Sequence, residues 1–75
     1  MDVRKRFGKR VKEFRQARGL SQEELARFVG LDTGYISGIE KGEKDISIEM
    51  IQKFSIAFKI NISDIFEGLE LFEVP

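Results

Sequence analysis

The side chains of this sequence that could do chemistry are concentrated between residues 33 and 44, where small polar and basic residues alternate with glycines. At 100° per residue, a helix here places Ile36 and Ile39 on one face and small hydrogen-bonding groups on the other. A helix with such an open face can approach the major groove of DNA closely while a few side chains hydrogen-bond to base edges. The candidate contacts, one of them from the preceding helix, are Gln22, Thr33, Gly34, Tyr35, Ser37, Gly38, Lys41 and Lys44.

These residues also allow simpler interpretations. Each glycine costs a helix about 1 kcal/mol of stability relative to alanine. Gly34 and Gly38 could be exposed residues without a role in DNA binding, or could allow a neighbouring helix to pack closely. Gln22 would lie beside the DNA backbone, or could be an ordinary exposed residue of a first helical turn. Lys41 and Lys44 would contact phosphate from the end of the helix and from the loop after it.

The elements that must position these side chains are predicted from apolar residues that recur every three or four positions. The predicted helices span approximately residues 3–18, 22–29, 33–41, 48–59 and 64–72. Their core positions include Val3, Phe7, Val11, Phe14, Leu25, Ala26, Phe28, Val29, Ile36, Ile39, Ile48, Ile51, Phe54 and Phe58. The sequence therefore predicts an all-α fold, with residues 1–75 forming one helix-turn-helix domain around a single core.

Local signals set the helix boundaries. Ser21 and Glu24 have the spacing of a capping box, and Asp32 and Ser63 are expected to cap the third and fifth helices. Apolar pairs that bracket three consecutive helix starts have the spacing of hydrophobic staples. They are Leu20 with Leu25, Leu31 with Ile36, and Ile46 with Ile51.

Composition limits the function. The chain has no cysteine and no histidine, so it has no disulfide, no thiolate zinc site and no histidine general base. No apolar run is long enough for a membrane span or a signal peptide. We therefore expect a cytoplasmic protein, not an enzyme, with no cofactor, no metal and no small-molecule effector.

The net charge of zero conceals a strong asymmetry. Residues 1–18 carry eight basic and two acidic side chains, whereas the remaining residues carry five basic and eleven acidic ones. Such a distribution indicates a basic face and an acidic face on one small body. The basic run can also be read as an ordinary solvated helix face.

Three stretches carry a family resemblance: RVKEFRQARGLSQEELARFVGL, YISGIEKGEKDISIEMIQKFSIAF and NISDIF. The chain resembles the lambda-repressor and Cro type of helix-turn-helix DNA-binding domain, the Xre family, from Phe7 to Phe66. Residues 33–37 and 45–48 look most like controller proteins of restriction–modification systems. The resemblance implies a compact five-helix, lambda-repressor-like domain that binds double-stranded DNA. It also implies a nucleoid-associated protein of a bacterium or phage.

The resemblance also assigns roles to positions. Gln22 matches a glutamine that contacts the backbone and an outer base, and the candidates on the third helix match residues that approach DNA. Residues 43–45 depart from the family's basic loop because they are acidic at both ends. Asp32 and Gly34 stand where controller proteins commonly have longer polar or basic side chains, so the base sequence read by this helix is left open.

Arg15 and Glu40 match a family pair that ties the first helix to the third. Glu40 lies next to the apolar face of its helix, where a carboxylate needs a partner. The alternative is that both side chains are exposed and contribute almost nothing to stability.

The C-terminal segment is unusually apolar for a short final helix. The recognition helix of this motif, the reading helix that enters the major groove, contacts only a few base pairs. Dimers of the motif present two such helices to a pseudo-palindrome. We therefore predict a homodimer interface, although the same side chains could instead close the base of the monomer. The interface residues are Ile65, Leu69, Leu71 and Phe72.

Two classes of function fit these observations. The first is a sequence-specific transcriptional regulator, a restriction–modification controller or small repressor, that binds a pseudo-palindromic operator as a homodimer. The second is a protein-interaction module, such as an antitoxin or a partner of another regulator, that uses its acidic and apolar C-terminal surface.

Overall fold

The structure is a computed structural model that describes residues 2–66. Those residues form five α-helices and no β-strand, which agrees with the predicted all-α fold. The helices are α1 Val3–Ala17, α2 Gln22–Val29, α3 Thr33–Glu40, α4 Ile48–Phe58 and α5 Ile62–Phe66. None of the helices in this range has the length and hydrophobicity needed to cross a bilayer.

The predicted capping box is present at the start of α2. The Ser21 hydroxyl accepts the Glu24 amide at 3.0 Å, and Glu24 accepts the Ser21 amide at 2.9 Å, which completes the capping box. Ser47 accepts the Met50 amide at the start of α4. Asp32 stands at the N-cap position of α3, but its side chain makes no capping hydrogen bond.

The predicted start of the fifth helix was wrong. The helix begins at Ile62 instead of residue 64, so Ser63 lies inside it and is not its cap. The Asn61 amide donates to the Asp64 carboxylate at 2.9 Å, and the Asp64 amide donates back to the Asn61 carbonyl at 3.0 Å. This exchange across three residues starts the helix before Ser63. Residues 67–72 of the prediction lie outside the described range.

All five helices contribute to one core. The side chains of α2 and α3 that face α1 and α4 are fully buried, and Leu31, Ile46 and Ile51 of the proposed staples pack against them partly buried. The buried apolar residues are Phe7, Val11, Leu25, Ala26, Val29, Ile36, Ile39, Phe54, Phe58 and Ile65.

Three residues predicted for the core are exposed instead. Ile48 is 83% exposed because it is the first residue of α4, and the buried face of that helix begins only farther along. Phe28 is 69% exposed because it lies on the flank of α2, beside an open groove to α4. Val3, the first residue of α1, is also exposed. Periodicity gives a direction around a helix, but it does not show where neighbouring helices stop covering that face.

The crossing of α1 and α3 depends on Gly8. A Cβ atom at this position would overlap the backbone carbonyl oxygens of Ile39 and Glu40. Since those atoms belong to backbone, they cannot move aside as a flexible side chain can. The missing side chain therefore sets how closely α1 approaches the C-terminal end of α3.

The capping box makes a testable contribution to stability. Ser21→Ala should destabilise the protein by about 1 kcal/mol, because the Glu24 amide loses its acceptor. Thermal unfolding followed by circular dichroism would measure the change. Glu23→Gln, an exposed change on the same helical turn, is the matched control and should have a smaller effect. Equal melting temperatures for wild type and Ser21→Ala would contradict the assignment.

Hydrogen bonds from the Ser21 backbone amide, and then from its side chain, lower the pKa of Glu24. A lowered pKa in the folded state means that this stabilisation is present above the ordinary carboxyl pKa. It is lost as the pH falls through the lowered value.

Candidate nucleic-acid interface

Helix α3 presents a polar face outward because its apolar face is fixed in the core. Ile36 and Ile39 are fully buried, whereas Thr33, Gly34 and Lys41 are exposed. Ser37 is half-buried, and a Cβ atom at Gly34 would meet nothing within 4 Å. Within residues 2–66 the hydroxyls of Thr33 and Ser37 make no hydrogen bond. They are therefore free to bond an external partner.

A buried carboxylate holds the other side of α3. Arg15 donates to Glu40 through Nε at 2.7 Å and through Nη2 at 3.1 Å, and its Nη1 donates to the Leu20 carbonyl at 2.8 Å. The two side chains are only 11% and 3% exposed. The hydrogen bonds to Glu40 raise the pKa of Arg15, so the guanidinium stays charged. This arrangement is the ion pair expected between the first and third helices, and it is bidentate.

Gln22 joins the same carboxylate. Its Nε2 donates to Glu40 Oε1 at 3.0 Å, so one side-chain atom of α3 binds residues from both α1 and α2. The predicted DNA-contact residue is therefore half-buried and oriented by the ion pair. Its amide oxygen accepts no hydrogen bond among the described residues and is the group that remains for an external donor.

The chain reverses direction immediately after α3. Gly42 has φ of 75°, a left-handed conformation that glycine adopts without strain. Its amide donates to the Ile39 carbonyl at 3.0 Å, and the Glu43 amide donates to the Gly38 carbonyl at 2.9 Å. These two bonds form a Schellman motif. The loop that follows consequently runs back along the outer side of α3.

Lys44 lies across α3 as a result of this reversal. A Cβ atom at Gly38 would be 2.9 Å from Cγ and 3.0 Å from Cε of Lys44. The Lys44 ammonium lies 5.7 Å from the centroid of the Tyr35 ring. Gly38 is therefore buried, which corrects its prediction as an open position. Tyr35 is half-buried, and its hydroxyl donates to the Asp45 carbonyl at 3.3 Å.

Two arginines, Arg10 of α1 and Arg18 at its C-cap, make structural contacts that the sequence did not predict. Arg10 donates to the Asp64 carbonyl at 2.7 Å and lies over the Phe14 ring. Arg18 donates to the Phe58 carbonyl at 2.8 Å. Both arginines are four residues from Phe14 and lie over its ring, and this spacing is the sequence signal that distinguishes them from solvated charges. The exposed lysines Lys5, Lys9 and Lys12 remain for long-range attraction of an anionic partner.

Of the four residues predicted for a dimer interface, the structure describes one. Ile65 is fully buried within the protomer, so its assignment to a dimer interface was wrong. The short helix α5 turns this side chain into the core, and Arg10 bonds the neighbouring carbonyls. Leu69, Leu71 and Phe72 lie outside the described residues.

Comparisons with known proteins agree on one family. The HTH_3 helix-turn-helix model matches residues 11–65. Control protein C.MunI of Mycoplasma sp is 36% identical over 70 residues, covering 92% of this chain and 95% of that protein. The crystal structure of the restriction-modification controller protein C.AhdI from Aeromonas hydrophila has a TM-score of 0.80 and 42% identity. The alignment with C.AhdI covers 83% of this chain and 94% of that one.

A structure with nucleic acid is also similar. SinR, described as the master regulator for biofilm formation, was crystallised in complex with DNA. It has a TM-score of 0.74 and 30% identity, with 80% of this chain and 97% of that chain covered. The protein is accordingly a non-enzymatic DNA-binding transcriptional regulator, and it belongs to the HTH_3, Xre-type helix-turn-helix family, close to restriction–modification controller proteins.

Proposed function

We propose that this protein is a restriction–modification controller that binds a pseudo-palindromic operator as a homodimer. The observation that carries the proposal is the outward face of α3, where the side chains of Thr33 and Ser37 make no hydrogen bond within residues 2–66 and Gly34 is open to solvent. The similarity to C.MunI and C.AhdI over most of the chain supports the controller class.

The dimer is proposed on physical grounds. One helix in a major groove reads only a few base pairs, and two copies related by a twofold axis place their reading helices about 34 Å apart. The protomer also exposes large apolar side chains, among them Phe28 and Ile56, which border one groove of about 430 Å³ between α2 and α4. Exposed apolar surface of this kind favours association with another copy.

Selection of binding sites from random double-stranded DNA tests the proposal directly. We expect one enriched pseudo-palindrome whose half-sites are separated by about one helical turn, or a multiple of it. Light scattering of the protein–DNA complex should give two protomers per site. The absence of any enriched sequence would contradict sequence-specific regulation, and one protomer per site would contradict the homodimer.

Ser37→Arg should change the enriched sequence. A longer side chain with several donors would then replace the hydroxyl on the groove-facing side of α3, and arginine prefers guanine O6 and N7. Gln52→Arg adds the same charge at an exposed position of α4 and is the matched control. It should leave the sequence preference unchanged. An identical preference for wild type and Ser37→Arg would show that this face of α3 does not read bases.

A further inference from the structure

We propose that Lys44 reads a base edge, most simply the O6 and N7 acceptors of a guanine in each half-site, and does not serve as a phosphate contact. The inference rests on the proposed function, because it names a specificity-determining residue of the same DNA interface. A lysine in the loop after a reading helix would ordinarily be assigned to the phosphate backbone. The position of its side chain in this structure supports a different role.

The first step is the course of the loop. The Schellman motif at Gly42 turns the chain back on α3, and Tyr35 donates to the Asp45 carbonyl farther along. The loop is therefore attached to α3 on both sides of residue 44. Lys44 starts from backbone that lies against the reading helix, not from a free loop extending away from it.

The second step is the contact between Lys44 and Gly38. Two atoms of the lysine stem, Cγ at 2.9 Å and Cε at 3.0 Å, lie close to the place where a Cβ atom of residue 38 would stand. The stem therefore runs along the helix surface and covers Gly38. Position 38 follows Gly34 by one helical turn, on the outward side of α3. Lys44 thus gives this side of α3 a long basic side chain that the helix itself lacks.

The third step is the direction of the ammonium. Nζ lies 5.7 Å from the centroid of the Tyr35 ring, so the ammonium lies beside a side chain from the N-terminal half of α3. In helix-turn-helix proteins that half of the reading helix contacts base edges. Lys44 makes no ion pair within residues 2–66, so its three donors are available. A lysine ammonium in the major groove pairs with the two acceptors of guanine.

The test compares binding-site selection and affinity for wild type, Lys44→Ala and Lys41→Ala. Lys44→Ala should reduce the preference for guanine at one position of each half-site by about tenfold and should affect other positions little. Lys41→Ala should weaken binding to all sequences about equally. It should also make the slope of log affinity against log salt shallower by about 0.9 per protomer. Because both lysines are exposed, circular dichroism should show that both variants remain folded.

A second variant keeps the charge. Gly38→Ala introduces a Cβ atom 2.9 Å from the lysine stem and should displace Lys44 from α3. It should reproduce the loss of guanine preference without changing the salt slope. Uniform weakening by Lys44→Ala, with a shallower salt slope and an unchanged preferred sequence, would overturn the inference and assign Lys44 to phosphate. If wild type itself selects no sequence, the proposed function fails, and this inference fails with it.

Discussion

Arg15→Ala should lower the free energy of unfolding by about 3–5 kcal/mol, the usual cost of removing one partner of a buried ion pair. The Glu40 carboxylate is 3% exposed and would keep only the hydrogen bond from Gln22. The Leu20 carbonyl would lose its donor as well. For a domain of this size each kcal/mol corresponds to about 4–8 °C in melting temperature, so a fall of more than about 12 °C is expected.

Urea unfolding of Arg15→Ala and Lys12→Ala would test this expectation. Lys12 lies on the same helix with an exposed side chain, and its removal should change stability by no more than about 0.5 kcal/mol. Replacing Arg15 and Glu40 together by methionine should restore part of the loss, because no buried charge is left without a partner. The same unfolding midpoint for Arg15→Ala and Lys12→Ala would show that the pair contributes nothing to folding.

Gly8→Ala should also destabilise the protein strongly, although alanine is the better helix former. The new methyl group would overlap the carbonyl oxygens of Ile39 and Glu40, so α1 and α3 would have to separate. Overpacking of this kind costs about 1–3 kcal/mol and occasionally more. It exceeds the gain of about 1 kcal/mol in helix propensity. We expect a net loss of about 2 kcal/mol, the upper end of that cost less the gain in helix propensity, measured by urea unfolding.

Gly34→Ala is the matched control for this prediction. It makes the same chemical change within a helix, but the new Cβ atom would have nothing within 4 Å. This variant should be as stable as wild type or more stable, by up to about 1 kcal/mol. If Gly8→Ala were as stable as Gly34→Ala, the close approach of α1 to α3 would not exist in solution.

The features that could be predicted from the sequence are mostly local ones. Ser21 and Glu24 are three residues apart, and their exchange of hydrogen bonds depends on nothing farther away. The helix periods set which way Ile36 and Ile39 point. The ion pair of Arg15 with Glu40 spans a longer distance. That a carboxylate beside an apolar face needs a partner could be predicted from the sequence, but the family resemblance identified Arg15 as the partner.

The features that could not be predicted depend on how helices and loops cover one another. The sequence pattern of α4 treats Ile48 and Phe54 alike, but only Phe54 is covered. Ile65 looked available to a second copy until the packing of α5 placed it in the core. Likewise, the contact of Lys44 with Gly38 follows from a chain reversal whose direction is set by the hydrogen bonds at Gly42.

The buried carboxylate of Glu40 has a consequence for how such a protein can evolve. It fixes α3 through its inner side, by bonds to Arg15 and Gln22, while Thr33, Gly34 and Ser37 on the outer side have no structural partners among the described residues. Mutations at these three positions therefore act on a surface that the fold does not need. Under the proposed function, a lineage would exchange one operator for another through single substitutions there, and each intermediate would remain a folded protein.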